Sequence, residues 1–164
     1  MAYCKTNSVQ RPQPGYEFER LTASGDQTEA LGAELAAWLY GGDVVLLSGE
    51  IGAGKTTFVR GAARALGVTD PVTSPTFTIG QRYAAAPPLA YVAHIDLYRL
   101  TSLAAEDPDL LADYVNRQTV TFVEWPELDA PGAHRLGPVA LRVEFTHGGR
   151  LEDRVVRVCP GTGS

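Results

Sequence analysis

The sequence predicts an α/β fold, a three-layer sandwich in which helices cover a central mixed sheet. Short apolar runs alternate with longer stretches of helical periodicity along the 164 residues, which is the pattern of α/β folds. One run, Val44–Leu47, is continuous and apolar, as a strand buried on both faces must be. A glycine-rich turn and a helical stretch follow it. We therefore expect parallel strands beside Val44–Leu47 and antiparallel strands at the edges of the sheet.

The elements on either side of this strand follow from local signals. Tyr16–Leu21 is expected to form a first, edge strand. Ser24–Gln27 has the pattern of a capping box, and the helix that it opens is expected to run to about Tyr40. A second helix is predicted over Thr56–Leu66. The apolar stripe of the first helix consists of Leu31, Leu35 and Leu39.

The second half of the chain is expected to consist mainly of strands. Asp70–Thr78 is rich in proline and threonine and has no periodicity, so we expect an ordered loop that runs into a strand. Ala84–Pro88 is the expected tip of a hairpin. Asp107-Pro108 is expected to begin a helix, because proline is tolerated in the first turn. The further predicted strands are Tyr91–Ile95, Thr119–Val123, Val139–Phe145 and Arg154–Cys159.

The composition indicates a single globular domain, residues 15–160, preceded by a loose polar tail, residues 1–14. With 45% hydrophobic residues, the chain can bury one core but not two. No apolar run approaches the roughly 18–20 residues of a membrane helix, and the polar start lacks the order of a secretion signal. We therefore expect a cytoplasmic protein, in which Cys4 and Cys159 are reduced thiols.

The charge distribution argues against tight, direct binding of nucleic acid. The net charge is −5 and the sequence contains no basic cluster. Affinity for nucleic acid depends mainly on neutralising its phosphates with lysine and arginine. If RNA is involved in the function, a partner protein is expected to hold it.

A phosphate-binding loop is predicted at Gly49–Thr56. The segment fits the pattern G-x-x-x-x-G-K-[ST] at every fixed position, between a buried strand and a helix. Its amides and the helix N-terminus would cradle phosphate oxygens, Lys55 would reach the β- and γ-phosphates, and the Thr56 hydroxyl would ligate Mg²⁺. The sequence thus predicts a P-loop NTPase-like fold, with ATP favoured over GTP because the N-K-x-D pattern of guanine recognition is missing. The expected nucleotide contacts are Gly49, Glu50, Ile51, Gly52, Ala53, Gly54, Lys55, Thr56 and Thr57.

Two carboxylates, Asp96 and Glu124, are candidates for the acidic partner of the metal. Each follows a run of apolar strand residues, and the open edge of an α/β sheet places its ligands at such positions. Spacing alone does not rank them, and for each the alternative is an ordinary solvated charge at a strand end. His94 would share a strand face with Asp96 and is interpreted as a core histidine rather than a catalytic one.

Several motifs outside the P-loop are more particular than the P-loop itself, which a vast superfamily shares. Ser-Pro-Thr-Phe, His-x-Asp-Leu-Tyr-Arg-Leu and Glu-Trp-Pro occur in this order. With them the chain resembles the TsaE (YjeE) family, the bacterial ATPases of tRNA threonylcarbamoyladenosine modification, over most of its length. The matching segments are Ser24–Gly32, Gly49–Gly61, Val72–Phe77, His94–Leu100 and Glu124–Glu127.

The resemblance implies roles for individual residues. Thr56 and Glu124 would hold magnesium, and Asp96 would lie close by and orient water or another magnesium ligand. Lys55, Asp96 and Glu124 would then form the catalytic set. The other implied contacts are Ser74 and Thr76 in a switch-like loop that senses the γ-phosphate, Trp125 beside the nucleotide, and Gly25, Thr28, Gly149 and Arg150 flanking the adenine.

The resemblance also implies a cofactor and partners. The cofactor would be Mg²⁺ with ATP or ADP, and the partners would be the TsaB and TsaD subunits of the tRNA modification complex, with tRNA reached only indirectly. ATP hydrolysis would reset that complex between turnovers. The chain departs from the family pattern at Ser102–Tyr114, which retains acidic residues but has no glycine.

Two alternatives remain at this point. One is a small-molecule kinase. Such a kinase usually has an arginine-bearing lid that closes over the phosphates, and the uncharged segment Ala84–Leu89 lacks such an arginine, which argues against this alternative. The other is a nucleotide-gated binding module with negligible hydrolysis, in which ATP and ADP only change the affinity for a partner.

Overall fold

A computed structural model of the chain describes residues 16–75, 78–97, 112–124 and 136–161. These residues form a seven-stranded sheet with two helices packed on it. The elements are β1 (Phe18–Thr22), α1 (Gly25–Ala36), β2 (Val44–Gly49), α2 (Lys55–Ala65), β3 (Gly80–Ala84), β4 (Tyr91–Asp96), β5 (Thr119–Glu124), β6 (Val139–His147) and β7 (Arg154–Pro160).

The sheet is mixed, and its strand order is β1-β7-β6-β2-β5-β4-β3. Strand β2, which leads into the predicted phosphate loop, pairs in parallel with β5 and with β6, and β5 pairs in parallel with β4. Strands β1, β7 and β3 join by antiparallel pairing. The predicted α/β fold is therefore confirmed, including its parallel centre and antiparallel edges. The carboxyl ends of β2, β4 and β5 consequently meet at one edge of the sheet.

Both faces of β2 are buried, as its continuous apolar sequence requires. Each residue of Val44–Leu47 has 0% of its surface exposed. Val45 and Leu47 pack into the core that contains α1 and α2, whereas Val44 and Leu46 pack into a second core on the opposite face. In the described part of the chain this second core includes Ile95, Val123 and Leu136, with Tyr114 and Val115 against it. The helix predicted at Asp107-Pro108 lies outside the described residues.

Helix α1 begins with the predicted capping box and ends earlier than predicted. The Ser24 side chain accepts a hydrogen bond from the Gln27 amide at 3.3 Å, and the Gln27 side chain accepts one from the Ala23 amide at 2.8 Å. The expected end near Tyr40 is wrong, because regular α-helix stops at Ala36. Tighter bonds between residues three apart carry the chain through the next turn, which still buries Leu39.

Helices α1 and α2 approach each other closely through two glycines. A Cβ added to Gly32 of α1 would lie 3.1 Å from the carbonyl carbon of Phe58, and one added to Gly61 of α2 would lie 2.6 Å from the carbonyl carbon of Glu29. Each glycine thus faces the backbone of the other helix. This crossing fixes α2, whose first residues are Lys55 and Thr56.

Most of the remaining predicted elements are found where the sequence predicted them. Residues 70–75 are irregular and lead towards β3, and a turn that includes Ala85–Leu89 joins β3 to β4. The tail and Cys4 lie outside the described residues, within which Cys159 has no disulfide partner. Neither helix in the described ranges is long and apolar enough to cross a membrane.

Candidate nucleotide site

A cavity of about 390 Å³ opens at the carboxyl ends of β2, β4 and β5, beside the first turn of α2. Residues from distant parts of the sequence meet here because the parallel strands end at the same edge of the sheet. The position is the one that open α/β sheets use for ligands. The cavity is lined by Ile51, Gly52, Gly54, Lys55, Thr56, Thr57, Ser74, Asp96 and Glu124.

The loop between β2 and α2 takes its shape from glycines with positive φ. Gly49 has φ +137°, and a Cβ there would lie 3.0 Å from the Cβ of Phe145, so no larger residue fits. Gly54, with φ +104°, is the N-cap of α2, and no side chain caps the helix there. The first amides of α2 are therefore not bound by a capping side chain and, with the positive end of the helix dipole, favour an anion at this end of the cavity.

Lys55 folds back over the loop. Its ammonium donates to the carbonyl of Gly49 at 2.7 Å and to that of Glu50 at 2.9 Å, and only 8% of the residue is exposed. Because an ammonium has three hydrogens, one remains for an anion beside these two bonds. The lysine thus stabilises the curled loop and brings a positive charge to the cavity wall.

Glu124 is hydrogen-bonded to two side chains of the site, Thr56 and His94. Its Oε1 accepts from the Thr56 hydroxyl at 3.3 Å and lies 2.9 Å from Nε2 of His94. Burial by itself raises the pKa of this carboxyl, but the hydrogen bond and charge of His94, the charge of Lys55 and the Thr56 hydroxyl outweigh burial. They hold the pKa below its usual 4.5. Glu124 is therefore ionised at neutral pH.

The oxygen atoms gathered here fit a magnesium ion that is shared with phosphates. Thr56 and Glu124 are in contact, and Asp96 is directly opposite Glu124 in the register of β4 and β5 and lines the same cavity. Among residues 16–75, 78–97, 112–124 and 136–161 no group of three or more His, Cys, Asp or Glu could hold a metal by itself. Mg²⁺ needs no such group, because it binds through one or two protein oxygens together with phosphates and water.

The other predicted site residues are distributed unevenly. Ser74 lines the cavity, whereas Thr76 and Trp125 lie outside the described residues. Of the loop, Ala53 is fully buried, and the Glu50 side chain is 83% exposed and lies 3.6 Å from Nε2 of His147.

The residues expected near the adenine flank the loop in different ways. Thr28 is buried beside Gly54, and its hydroxyl bonds to that of Thr22 at 2.8 Å and to the Ser24 carbonyl at 3.1 Å. It therefore supports the loop from the protein side. Gly25 is exposed near Thr57. Gly149 and Arg150 lie in the turn between β6 and β7, outside the set that lines the cavity, and their contact with adenine stays a prediction.

Sequence reasoning missed the contact between Arg154 and the loop. The guanidinium of this residue, the first of β7, donates to the carbonyl of Gly52 at 3.2 Å and to that of Leu151 at 2.8 Å. Arg154 thus ties the loop to the β6–β7 turn. No sequence signal marked it, since its partner in the loop lies 102 positions away.

His94 was interpreted too narrowly. It is buried, as a core histidine is, but its ring also contacts the candidate metal ligand Glu124. Its place two residues before Asp96 in β4 was a usable signal, because alternate residues of a strand share a face.

Comparison with known proteins agrees with this geometry. The model of the family described as threonylcarbamoyl adenosine biosynthesis protein TsaE matches residues 22–154. The chain belongs to the TsaE family. The matched region contains both helices and all the residues that line the cavity, and it confirms the resemblance noted in the sequence.

Individual relatives give the same family. A Streptomyces coelicolor protein is 47% identical over 100 residues, which are 59% of this chain and 66% of that protein. A Bacillus subtilis protein is 43% identical over 108 residues, 65% of each chain. Both are called tRNA threonylcarbamoyladenosine biosynthesis protein TsaE. The match therefore spans about two thirds of the length of these relatives.

A solved structure supports the fold. The crystal structure of YdiB from Bacillus subtilis superposes with a TM-score of 0.64 at 29% identity, and covers 87% of this chain and 84% of that one. The arrangement of sheet and helices is thus shared with that protein.

Proposed function

We propose that this chain binds and hydrolyses Mg·ATP and thereby supports the biosynthesis of threonylcarbamoyladenosine in tRNA. The observation that carries the proposal is the contact between the Thr56 hydroxyl and Glu124 Oε1, at 3.3 Å, in the cavity under a glycine-rich phosphate loop. A hydroxyl at the start of the helix and a carboxylate at the end of a neighbouring strand are the pair that P-loop proteins use for magnesium. The names of the relatives support the link to tRNA modification.

The phosphate chain would bind to the loop and to Lys55. The amides at the start of α2 and the helix dipole favour an anion there. The Lys55 ammonium, which donates to the carbonyls of Gly49 and Glu50, would donate its remaining hydrogen to the β- and γ-phosphates. The sum of these contacts would hold the terminal phosphate beside Thr56 and Glu124.

Hydrolysis would place a water in line with the bond between the γ-phosphorus and the oxygen that leaves with ADP. Attack forms a bond from the water oxygen to phosphorus and breaks the bond to that leaving oxygen, giving ADP and inorganic phosphate, and the proton that the water loses passes to the phosphate or to solvent. Asp96, opposite Glu124 at the cavity wall, would orient the water or a magnesium ligand. Magnesium, held by Thr56 and Glu124, would neutralise charge on the phosphates.

Hydrolysis is expected to be slow in the isolated chain and faster with partners. An arginine placed against the γ-phosphate is typically worth about 10³–10⁵ in rate. Arg154 is near the loop, but its guanidinium is bonded to the carbonyls of Gly52, Leu151 and Asp153. We propose that the TsaB and TsaD subunits supply or order such an arginine, that tRNA is reached only through them, and that the protein works in the cytoplasm.

Steady-state ATP hydrolysis by the purified chain, alone and with the TsaB–TsaD pair, tests the proposal. Lys55→Ala serves as the blank for contaminating ATPases. Slow turnover that rises sharply with the pair is expected. Turnover that the pair leaves unchanged would contradict the role in the modification complex, and would favour a kinase with another phosphate acceptor.

A single-turnover assay separates the ATPase from a nucleotide-gated binding module. Excess protein with the TsaB–TsaD pair is mixed with labelled ATP, and ADP is followed over time. Formation of one ADP per bound ATP is expected. Persistence of bound ATP would mean that the nucleotide acts only by changing affinity for the partners.

A further inference from the structure

His94 is a fully buried histidine whose ring forms a hydrogen bond to a residue of the site. It lies in β4 with 0% of its surface exposed, and its Nε2 is 2.9 Å from Glu124 Oε1. Its other ring nitrogen, Nδ1, has no hydrogen-bond partner among the described residues. A polar ring is costly to bury unless it is hydrogen-bonded. Within the described residues, the side-chain hydrogen bond of His94 is the one to Glu124.

The direction of this hydrogen bond follows from the charge of the carboxylate. Glu124 is ionised at neutral pH and can only accept hydrogens. Nε2 of His94 must therefore carry a hydrogen and donate it to Oε1. The Thr56 hydroxyl donates to the same oxygen, so two donors from different elements meet at one atom.

In this arrangement the second oxygen of the Glu124 carboxylate can accept a further contact. With Oε1 taken by His94 and Thr56, Oε2 of Glu124 has no donor among the described residues. Glu124 also lines the cavity. Its Oε2 is thus the oxygen that can bind a metal ion or a water on the metal.

The register of the sheet explains why a histidine at this position can act on Glu124. Asp96 is opposite Glu124 in the parallel pairing of β4 and β5, and His94 is two residues earlier on the same face. Asp96 therefore reaches the cavity while His94 holds Glu124 from the protein side. An apolar residue could fill the same volume but could not fix the carboxylate.

We infer that His94 is a positioning residue, which through its hydrogen bond to Oε1 orients the Glu124 carboxylate so that Oε2 faces magnesium bound with ATP. The inference rests on the proposed Mg·ATP site. Loss of a hydrogen-bond partner of a metal ligand typically lowers metal affinity by about 10–100-fold. His94 itself touches neither nucleotide nor metal.

Three variants separate the hydrogen bond from the packing of the ring. His94→Phe fills the volume without a donor, whereas His94→Gln keeps an N–H that can reach Oε1. Val92→Ala, on the same face of β4 and in the core, is the matched control for a loss of packing. Affinity for ATP is measured by calorimetry in EDTA and across a magnesium titration.

The expected result is specific to magnesium. His94→Phe should raise the magnesium concentration for half-maximal tightening of ATP binding by about 10–100-fold. Affinity in EDTA should stay as in wild type. His94→Gln and Val92→Ala should stay within about threefold of wild type, a difference at the level of ordinary non-disruptive substitutions.

The outcomes distinguish this inference from the proposed function. If the ATP affinity of the wild type does not depend on the magnesium concentration, the Mg·ATP proposal fails. If wild type responds but His94→Phe responds equally, or His94→Gln is as impaired as His94→Phe, the positioning role is refuted. Nitrogen NMR of the imidazole in wild-type protein gives a check that needs no variant: a proton on Nε2 is expected, and a bare Nε2 would overturn the inference.

Discussion

Gly61 lies where α2 passes close to α1, and its replacement by alanine is predicted to force the two helices apart. The added Cβ would lie 2.6 Å from the carbonyl carbon of Glu29 and 2.7 Å from its Cα, whereas carbon atoms pack at about 3.5–4.0 Å. The obstructing atoms are backbone, so no side-chain rotation relieves the overlap. The helices must therefore separate by about 1 Å to restore contact distances.

The size of the effect follows from this displacement. Overpacking of a core costs about 1–3 kcal/mol and occasionally more, and a gap of this size forfeits a quarter to a half of each dispersion contact along the interface. Alanine returns about 1 kcal/mol through its higher helix propensity. Because the obstructing atoms are backbone, we take the upper end of the overpacking cost and expect a net loss of about 2 kcal/mol in the free energy of unfolding, or about 4–8 °C in melting temperature.

Thermal unfolding followed by circular dichroism measures this loss. Gly25→Ala is the matched control, because it makes the same change in α1 at an exposed position, where the new Cβ would have only an ordinary contact of 3.8 Å with Thr57. Its melting temperature should stay within about 2 °C of wild type. If Gly61→Ala and Gly25→Ala have the same melting temperature, the two helices do not cross as closely as the structure shows.

Three further predictions concern the site. Glu124→Ala should weaken the magnesium dependence of ATP binding more than Asp96→Ala, because the Glu124 carboxylate is hydrogen-bonded to the Thr56 hydroxyl. Equal or reversed effects in a magnesium titration would exchange their roles. Arg154→Ala should weaken ATP binding about 3–10-fold, because the hydrogen bond from the guanidinium to the loop is lost. Arg157→Ala, on the same strand, should leave ATP binding unchanged. Equal ATP affinities of the two variants in calorimetry would argue that Arg154 does not support the loop. Glu124→Gln should remove part of the acid sensitivity of the fold. A carboxyl whose pKa is lowered in the folded state stabilises that state fully above pH 4.5, and this contribution is lost as the pH falls below 4.5. Identical acid-unfolding curves for wild type and variant would refute this prediction.

The parts of the fold that depend on local sequence could be predicted. Val44–Leu47 was recognisable as a central strand because all four residues are apolar. The start of α1 was recognisable because a capping box is a contact between residues three apart. Its end was not, since the tight turn after Ala36 is stabilised by burial of Leu39 in the core, which local propensity does not contain.

The parts of the site that depend on contacts across the sheet could not be predicted. The phosphate loop has a fixed pattern, and Asp96 and Glu124 were found by their place at strand ends, but their ranking needed the contact between Thr56 and Glu124. The role of Arg154 depends on a contact over 102 positions. Such pairings are set by the register of the strands, which a single sequence does not specify.

Calorimetric titration of Mg·ATP into the purified chain, wild type against Lys55→Ala, tests the central claim most directly. Removing the ammonium deletes a charge and its hydrogen bonds to phosphate together, so affinity should fall about 100-fold, or about 3 kcal/mol. Lys5→Ala changes the chain's other lysine and should bind as wild type does. Equal Mg·ATP affinity in wild type and Lys55→Ala would contradict the assignment of the loop at Gly49–Thr56 as the nucleotide site.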